Sequence, residues 1–404
     1  MITKSHPQQL GQTEFIAMIA MLFATIAFSI DSMLPALPTI AAELTPLAPN
    51  NAQLILTSFV LGMGFGTFVA GPLSDSYGRR RIIVAGAVLY CAGAIAAYFA
   101  SSLETVLLAR VVQGLGAAGP RVVSLALVRD LYKGRDMARV VSFAMMIFTL
   151  VPAVAPLAAS GVIALYGWRS IFIAFVLFSL ISLSWLMIRQ PETLAVQDRR
   201  PFRAQPLFAA LKEVLSHRTI RTTIGVQTLI FGALFGTLSS AQSIFEFTFD
   251  RGAAFPLWFA LVAVCSGLAS PANAVLVGRL GMRFLITWTL AAQLLLSGLM
   301  VVLTMAGLLP SAWVFGAFIL WMIGVFAMAG LTLGNLNALA LEPVGHIAGM
   351  AASVTGAIAT VLAVALAAPL ELAFNGTFLP LVIGVLLMSA MALGLMMTMP
   401  KDKS

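Results

Sequence analysis

Five ionisable side chains fall inside long apolar stretches of this 404-residue chain: Asp31, Arg110, Arg121, Glu246 and Glu371. Charged groups surrounded by hydrocarbon are costly, and they mark places where ions, protons or charged substrates are handled. Asp31 follows about sixteen mostly apolar residues and lies roughly 15 Å inside the far end of a helix that finishes near Ala42. Burial disfavours the charged form of a carboxylate, so a group at that depth can hold a proton at neutral pH and lose it to a nearby cation. That is the chemistry of proton binding and release. A structural reading stands beside it, in which Asp31 caps a helix that breaks before Pro35 and Pro38.

Arg110 and Arg121 are eleven positions apart. On one helix they lie within about 20° of each other, three turns and roughly 16 Å apart. Gly114 and Ala117 fall between them on the same stripe, which suggests a groove with a cation at each end. Arg121 is about 12 Å along the helix from Arg129, too far to reach the helix end easily. It is expected to bind a negative or electronegative substrate group, with an ion pair near the inner gate as the alternative. Arg110 divides between structural support and proton coupling. Glu246 and Glu371 fall near helix ends, where a solvated lip is expected, and Glu246 is the better candidate to face a cavity and bind substrate. Asn273, Gln227, Gln242 and Gln293 can bond either a ligand or a neighbouring helix, and Asn273 is assigned to the substrate. Phe235, Trp258 and Trp321 are candidates for a pocket wall, although most of the 27 Phe and 20 Met must be core or lipid-facing.

Neither the histidines (His6, His217, His346) nor the cysteines (Cys91, Cys265) have the spacing of metal ligands or a catalytic nucleophile. No enzymatic activity, metal or cofactor is expected.

These residues need helices to carry them. The chain is 60% hydrophobic and only 9% charged, with a mean hydropathy of +1.01, whereas soluble proteins carry about a quarter charged residues. Apolar stretches long enough to cross a bilayer run from end to end. They predict twelve spans near residues 13–42, 51–74, 81–101, 103–130, 138–165, 168–189, 220–248, 253–278, 281–307, 310–337, 345–374 and 377–399. The expected architecture is an all-α membrane protein with an N-terminal six-helix bundle (1–189), a cytoplasmic linker (190–219) and a C-terminal six-helix bundle (220–404). The first apolar segment is too long for a signal peptide and has no small-residue cleavage site, so it is expected to remain.

Lys4, Arg79 to Arg81, Arg129, Lys133, Arg135, Arg139, Arg189, the linker cluster, Arg279, Arg283, Lys401 and Lys403 all fall on one side of these spans. Only Arg169 and Arg251 flank the other. Cytoplasmic loops carry the excess of Lys and Arg, so both termini and the linker are expected in the cytoplasm. The net charge of +8 is then a topology signal, not a nucleic-acid footprint.

GPLSDSYGRRR (residues 71–81) joins spans 2 and 3, and VGRLGMR (277–283) joins spans 8 and 9. Two related halves around a midplane cavity describe one large class of secondary transporters. GPLSDSYGRRR resembles the signature loop of the major facilitator superfamily, with Gly71, Asp75, Gly78, Arg79 and Arg80 in place. The resemblance implies that this loop locks the cytoplasmic gate together with an acid at the end of span 4, here Asp130. RVVQGLGAAG (110–119) looks like the second superfamily motif. FSIDSMLPALPTI (28–40) and LALEPVGHIAGMAASVTGAI (339–358) are similar to segments of the Bcr/CflA drug:proton antiporters. That likeness implies a monomer of the bacterial inner membrane, in contact with lipid, that exports small amphiphilic molecules against protons and binds no nucleic acid. VPAVAPLAASG (151–161) departs from the antiporter pattern of span 5 by replacing glycines with alanines. Arg121 and this altered segment leave room for an alternative, a dedicated transporter of one anionic metabolite.

Overall fold

The computed structural model describes residues 10–199 and 204–399. Lys4, His6, Arg200, Arg203, Lys401 and Lys403 lie outside them, as does the side chain of Arg135.

Span 1 is two helices. α1 (Gln12–Asp31) ends at the candidate acid, a 3-10 turn covers Leu34–Ala36, and α2 (Leu37–Leu44) completes the crossing. Pro35 has no N–H to give the carbonyl four residues back, and Pro38 pre-sets the first turn of α2. The next spans are α3 (Leu54–Tyr77), α4 (Arg79–Tyr98), α5 (Leu103–Leu131), α6 (Gly134–Tyr166) and α7 (Ser170–Arg189). A short helix, α8 (Ala204–Ser216), occupies the stretch expected to be plain linker and packs on α9 (Arg218–Ser243). Span 8 is divided at Leu268 into α10 (Phe255–Gly267) and α11 (Ala269–Leu280). α12 (Met282–Met305), α13 (Ser311–Leu341), α14 (Ala348–Leu372) and α15 (Leu379–Met397) follow.

By length and composition, 11 candidate spans are distinguishable among the described residues, one of them the 62-residue run Ser311–Leu372. A kink at Val344 in the turn Glu342–Ile347 divides that run into α13 and α14. The predicted spans therefore all have counterparts, with ends displaced by a few residues.

Helix pairings repeat at an interval of six spans. α1 packs on α6 as α9 packs on α14, α3 on α5 as α10 on α13, α4 on α5 as α12 on α13, and α4 on α7 as α12 on α15. The two repeats meet through α3 against α14 and α6 against α10, which are equivalent contacts under the same shift. Gly78 (φ 102°) turns the chain from α3 into α4, and Gly281 (φ 82°) turns it from α11 into α12. Both need the positive φ that glycine adopts without strain. The likeness between residues 71–81 and 277–283 is thus a likeness of backbone geometry as well as of sequence.

Candidate functional site

The break in span 1 creates a carbonyl for Arg110 to bind. Met33 N–H turns to Ile30 O in the 3-10 turn, so Ser29 O loses the donor that a continuous helix would provide. Arg110 Nη2 donates to Ser29 O at 2.9 Å, Nε to Ile55 O of α3 at 3.3 Å and Nη1 to Gln113 Oε1 at 2.8 Å. Its guanidinium carbon lies 4.4 Å from the centre of the Phe59 ring. Ser29 Oγ meets the Tyr90 hydroxyl of α4 at 2.5 Å. One fully buried arginine therefore ties α1, α3 and α5 together at the bend. Asp31, two residues beyond Ser29, is also buried but forms no ion pair among the described residues.

The groove expected between Arg110 and Arg121 is not there. A Cβ added at Gly114 would lie 1.9 Å from Phe59 O, and one added at Gly62 would lie 1.9 Å from Val111 O. Ala117 is also buried. These small residues let two backbones approach each other instead of leaving a channel, as small residues do in membrane interfaces. Gly114 is a packing position, which corrects its assignment to substrate.

Arg121 behaves differently. It is exposed, with Nη1 3.8 Å from Met63 Sδ, and has no acidic partner among the described residues. On α5 the outward apolar stripe is Leu108, Val112 and Leu115, and Arg121 points about 140° away from Leu108. Its exposure is therefore toward the interior, roughly 15 Å in from the helix end at Leu131.

The loop after α3 forms the cluster that its motif implies. Arg79 Nη1 bonds Asp75 Oδ1 at 2.5 Å and Ser74 Oγ at 2.7 Å, while Nε bonds Asp130 Oδ2 at 3.0 Å. Gly71 faces Ser353 of α14, whose Oγ would lie 3.3 Å from an added Cβ. Arg80 Nη2 donates to Met187 O at 2.8 Å. Sequence reasoning missed Glu192. Its carboxylate accepts from Arg79 N at 2.9 Å and Arg80 N at 3.1 Å, capping α4, and Thr193 Oγ1 donates to Asp130 Oδ2 at 2.7 Å. A P-E-T tripeptide in a polar stretch gives no periodicity by which a cap from 113 residues away would be found.

At the opposite end of the bundle, hydrogen bonds join the first repeat to the second. Asn50 Nδ2 donates to Phe374 O at 2.7 Å, Gln53 Nε2 to Ser243 Oγ at 3.3 Å, Ser240 Oγ to Gln53 Oε1 at 3.2 Å and Thr57 Oγ1 to Glu371 Oε2 at 2.9 Å. Glu371 is fully buried in this seam, which corrects the expectation of a solvated lip. Its helix end is covered by α3 and α9, an arrangement that hydropathy along one helix cannot reveal. Glu246 does lie at the exposed lip, against Gly252. Asn273 and Asn335 bond each other reciprocally, with Asn335 Nδ2 at 2.7 Å from Asn273 Oδ1. Asn273 therefore holds span 8 to span 10. Gln227 bonds Asn337 and Gln293 bonds Ser297, both neighbouring-helix or same-helix roles, whereas Gln242 Oε1 is buried without a partner. Trp321 is core and Trp258 packs on Phe315. Phe235, partly exposed, stacks on Phe231 at 5.6 Å. In the altered span 5 segment Ala155 and Ala159 are buried, while Gly161 faces open space.

Residues 17–369 match the family described as the Major Facilitator Superfamily. The chain belongs to that superfamily. It is 29% identical over 361 residues to a protein of Haemophilus influenzae named bicyclomycin resistance protein homolog, covering 87% of each. It is also 29% identical over 337 residues to the multidrug resistance protein MdtL of Shewanella oneidensis, covering 81% of each. Among solved structures, the partially occluded inward-open xylose transporter XylE of Escherichia coli superposes with a TM-score of 0.72 over 97% of this chain and 99% of that one, at 16% identity. That likeness shows the fold alone: an all-helical, multi-pass transporter architecture. The resistance names agree with the Bcr/CflA resemblance of residues 28–40 and 339–358.

Proposed function

We propose that this chain exports small amphiphilic compounds in exchange for protons by alternating access. The observation that carries this reading is Asp31: a carboxylate buried at the broken point of span 1, with no cation paired to it, beside the Arg110 anchor that fixes the break. A carboxylate taken out of water without a cation is held neutral, and it ionises when solvent or a cationic group reaches it. Competition between proton and substrate for one interior then couples their flows, because coupling requires a difference in affinity between states. The names of the similar resistance proteins favour drugs as cargo.

The loop cluster of Asp75, Arg79 and Asp130 is assigned to the gate. The residues divide into units 1–189 and 220–404 with a linker at 190–219. The end rich in arginine faces the cytoplasm of a bacterial inner membrane, and the protein acts as a monomer. Arg121 supports a second reading, transport of one anionic metabolite. It is a cation exposed to the interior with no acidic partner among the described residues.

Proton flux in liposomes under an imposed pH gradient separates the two. Several unrelated compounds driving flux that Asp31→Asn abolishes supports the exporter. Flux driven by one anion class only, and removed by Arg121→Ala, supports the dedicated carrier. No proton flux with any compound refutes the role of Asp31.

A further inference from the structure

Glu371 is a buried acid that the reading above does not use. It lies one residue from the end of α14, with no exposed surface. One oxygen accepts from Thr57 of α3, and Oε1 has no hydrogen-bond partner. Ser239 of α9 stands beside the carboxylate.

The groups facing Glu371 are neutral on every side. From α3 and the turn before it come Thr57, Gln53 and Asn50, and from α9 come Ser239, Ser240, Gln242 and Ser243. α13, α14 and α15 carry no charged residue other than Glu371 itself. Arg110 reaches α3 on the face of Ile55 and Phe59, which is about 200° around the helix from Thr57. Glu246 is exposed at the lip, and Glu371 makes no ion pair among the described residues. Among the described residues no cation faces it, and Thr57 is the one side chain shown donating to it.

We propose that Glu371 is a second proton-binding site, placed in the seam where α3 meets α9 and α14, and that its protonation holds this end of the bundle shut. Shut, the seam excludes water, so the carboxyl carries a proton and accepts from Thr57. When α3 parts from α14 the same group faces solvent, where the ionised form is hydrated and the proton leaves to water. The shut form therefore binds one more proton than the open form. Raising pH favours the open form, by at most about tenfold in the open-to-shut ratio per pH unit for a single proton. The inference rests on alternating access but not on the nature of the cargo.

The test is a distance across the seam. Spin labels are placed at Leu47 and Ala373, both exposed at this end, in a Cys91→Ser, Cys265→Ser background in lipid nanodiscs between pH 5 and 9. The expected result is a long-distance population that grows with pH. Glu371→Gln, which mimics the protonated acid, is expected to stay in the short population throughout. Thr57→Val, which removes the donor without adding charge, is expected to keep the pH dependence with a larger open fraction. Asp31→Asn is expected to leave the seam transition in place. A seam distance independent of pH, or a Glu371→Gln response equal to that of the parent, overturns the proposal. Parallel flux measurements keep the two readings apart. A seam that titrates through Glu371 without compound-driven flux refutes the exporter and supports the latch, whereas compound-driven flux with a pH-insensitive seam does the reverse.

Discussion

Gly114→Ala distinguishes a packing surface from a groove by adding a single methyl. The added carbon would lie 1.9 Å from Phe59 O, 2.8 Å from Phe59 C and 2.9 Å from Met63 N, all of them backbone. Real Cβ contacts essentially never fall below 3.0 Å, so α3 and α5 must separate by about 1 Å or distort. Overpacking of this kind costs about 1–3 kcal/mol. Gly62→Ala meets Val111 O at 1.9 Å from the other side of the same contact and should cost a similar amount. One separation relieves both clashes, so the double variant is expected to lose clearly less than the sum of the singles. Gly161→Ala, with nothing within 4 Å of the added carbon, is the control and should not lower stability, and as a helix-interior substitution is expected to raise it by up to about 1 kcal/mol. The assay is thermal unfolding of purified protein in detergent, repeated in lipid. Gly114→Ala and Gly161→Ala unfolding at the same temperature would refute the close approach and restore the groove.

Glu192→Ala removes the acceptor for Arg79 N and Arg80 N and is expected to cost about 0.5–2 kcal/mol, the usual range for a lost helix cap; faster hydrogen exchange at those two amides checks it. Arg110→Lys keeps the charge but not the fork that serves Ser29, Ile55 and Gln113. Each lost charged hydrogen bond is worth about 1.5–3 kcal/mol, so a large fall in unfolding temperature is expected, together with new exchange at the Ile30–Met33 bend. Gly64→Ala places a carbon 2.8 Å from Val361 Cγ2 of α14. The strain falls on the seam, so the open population between Leu47 and Ala373 should rise while the unfolding temperature falls less than for Gly62→Ala.

The spans were legible because each is a continuous apolar run, and the Asp75–Arg79–Asp130 cluster was legible because its residues sit within one short motif plus Asp130. Asp31 was legible as a single charge in an apolar background, and Arg121 because no nearby helix end could accommodate it. What stayed hidden depends on which helix covers which. The same glycine spacing that suggested a groove at Gly114 produces backbone contact, because α3 carries its own glycines at matching heights. Glu371 looked like a lip residue from its distance to the helix end, yet α3 and α9 extend past it. Glu192 acts through two backbone amides, and a cap of that kind leaves no trace in side-chain pattern.

α3 has two unlike glycine faces. Toward α5, added carbons at Gly62 and Gly66 would meet backbone atoms at 1.9 and 2.6 Å; toward α14, those at Gly64 and Gly71 would meet side-chain atoms at 2.8 and 3.3 Å. Backbone contacts cannot yield without moving a helix, whereas side chains can repack as two surfaces part. α3 is therefore bound rigidly to the repeat that contains Arg110 and Asp31 and seated more loosely on the repeat that contains Glu371. Arg110 holds one face of α3 through Ile55 O, and Thr57 presents the opposite face to Glu371. A change at the span 1 bend that shifts Arg110 must shift α3, and with it the hydroxyl that Glu371 depends on. The two buried acids therefore lie on opposite faces of one helix at similar height, Asp31 beside the anchor at Ile55 and Glu371 at Thr57.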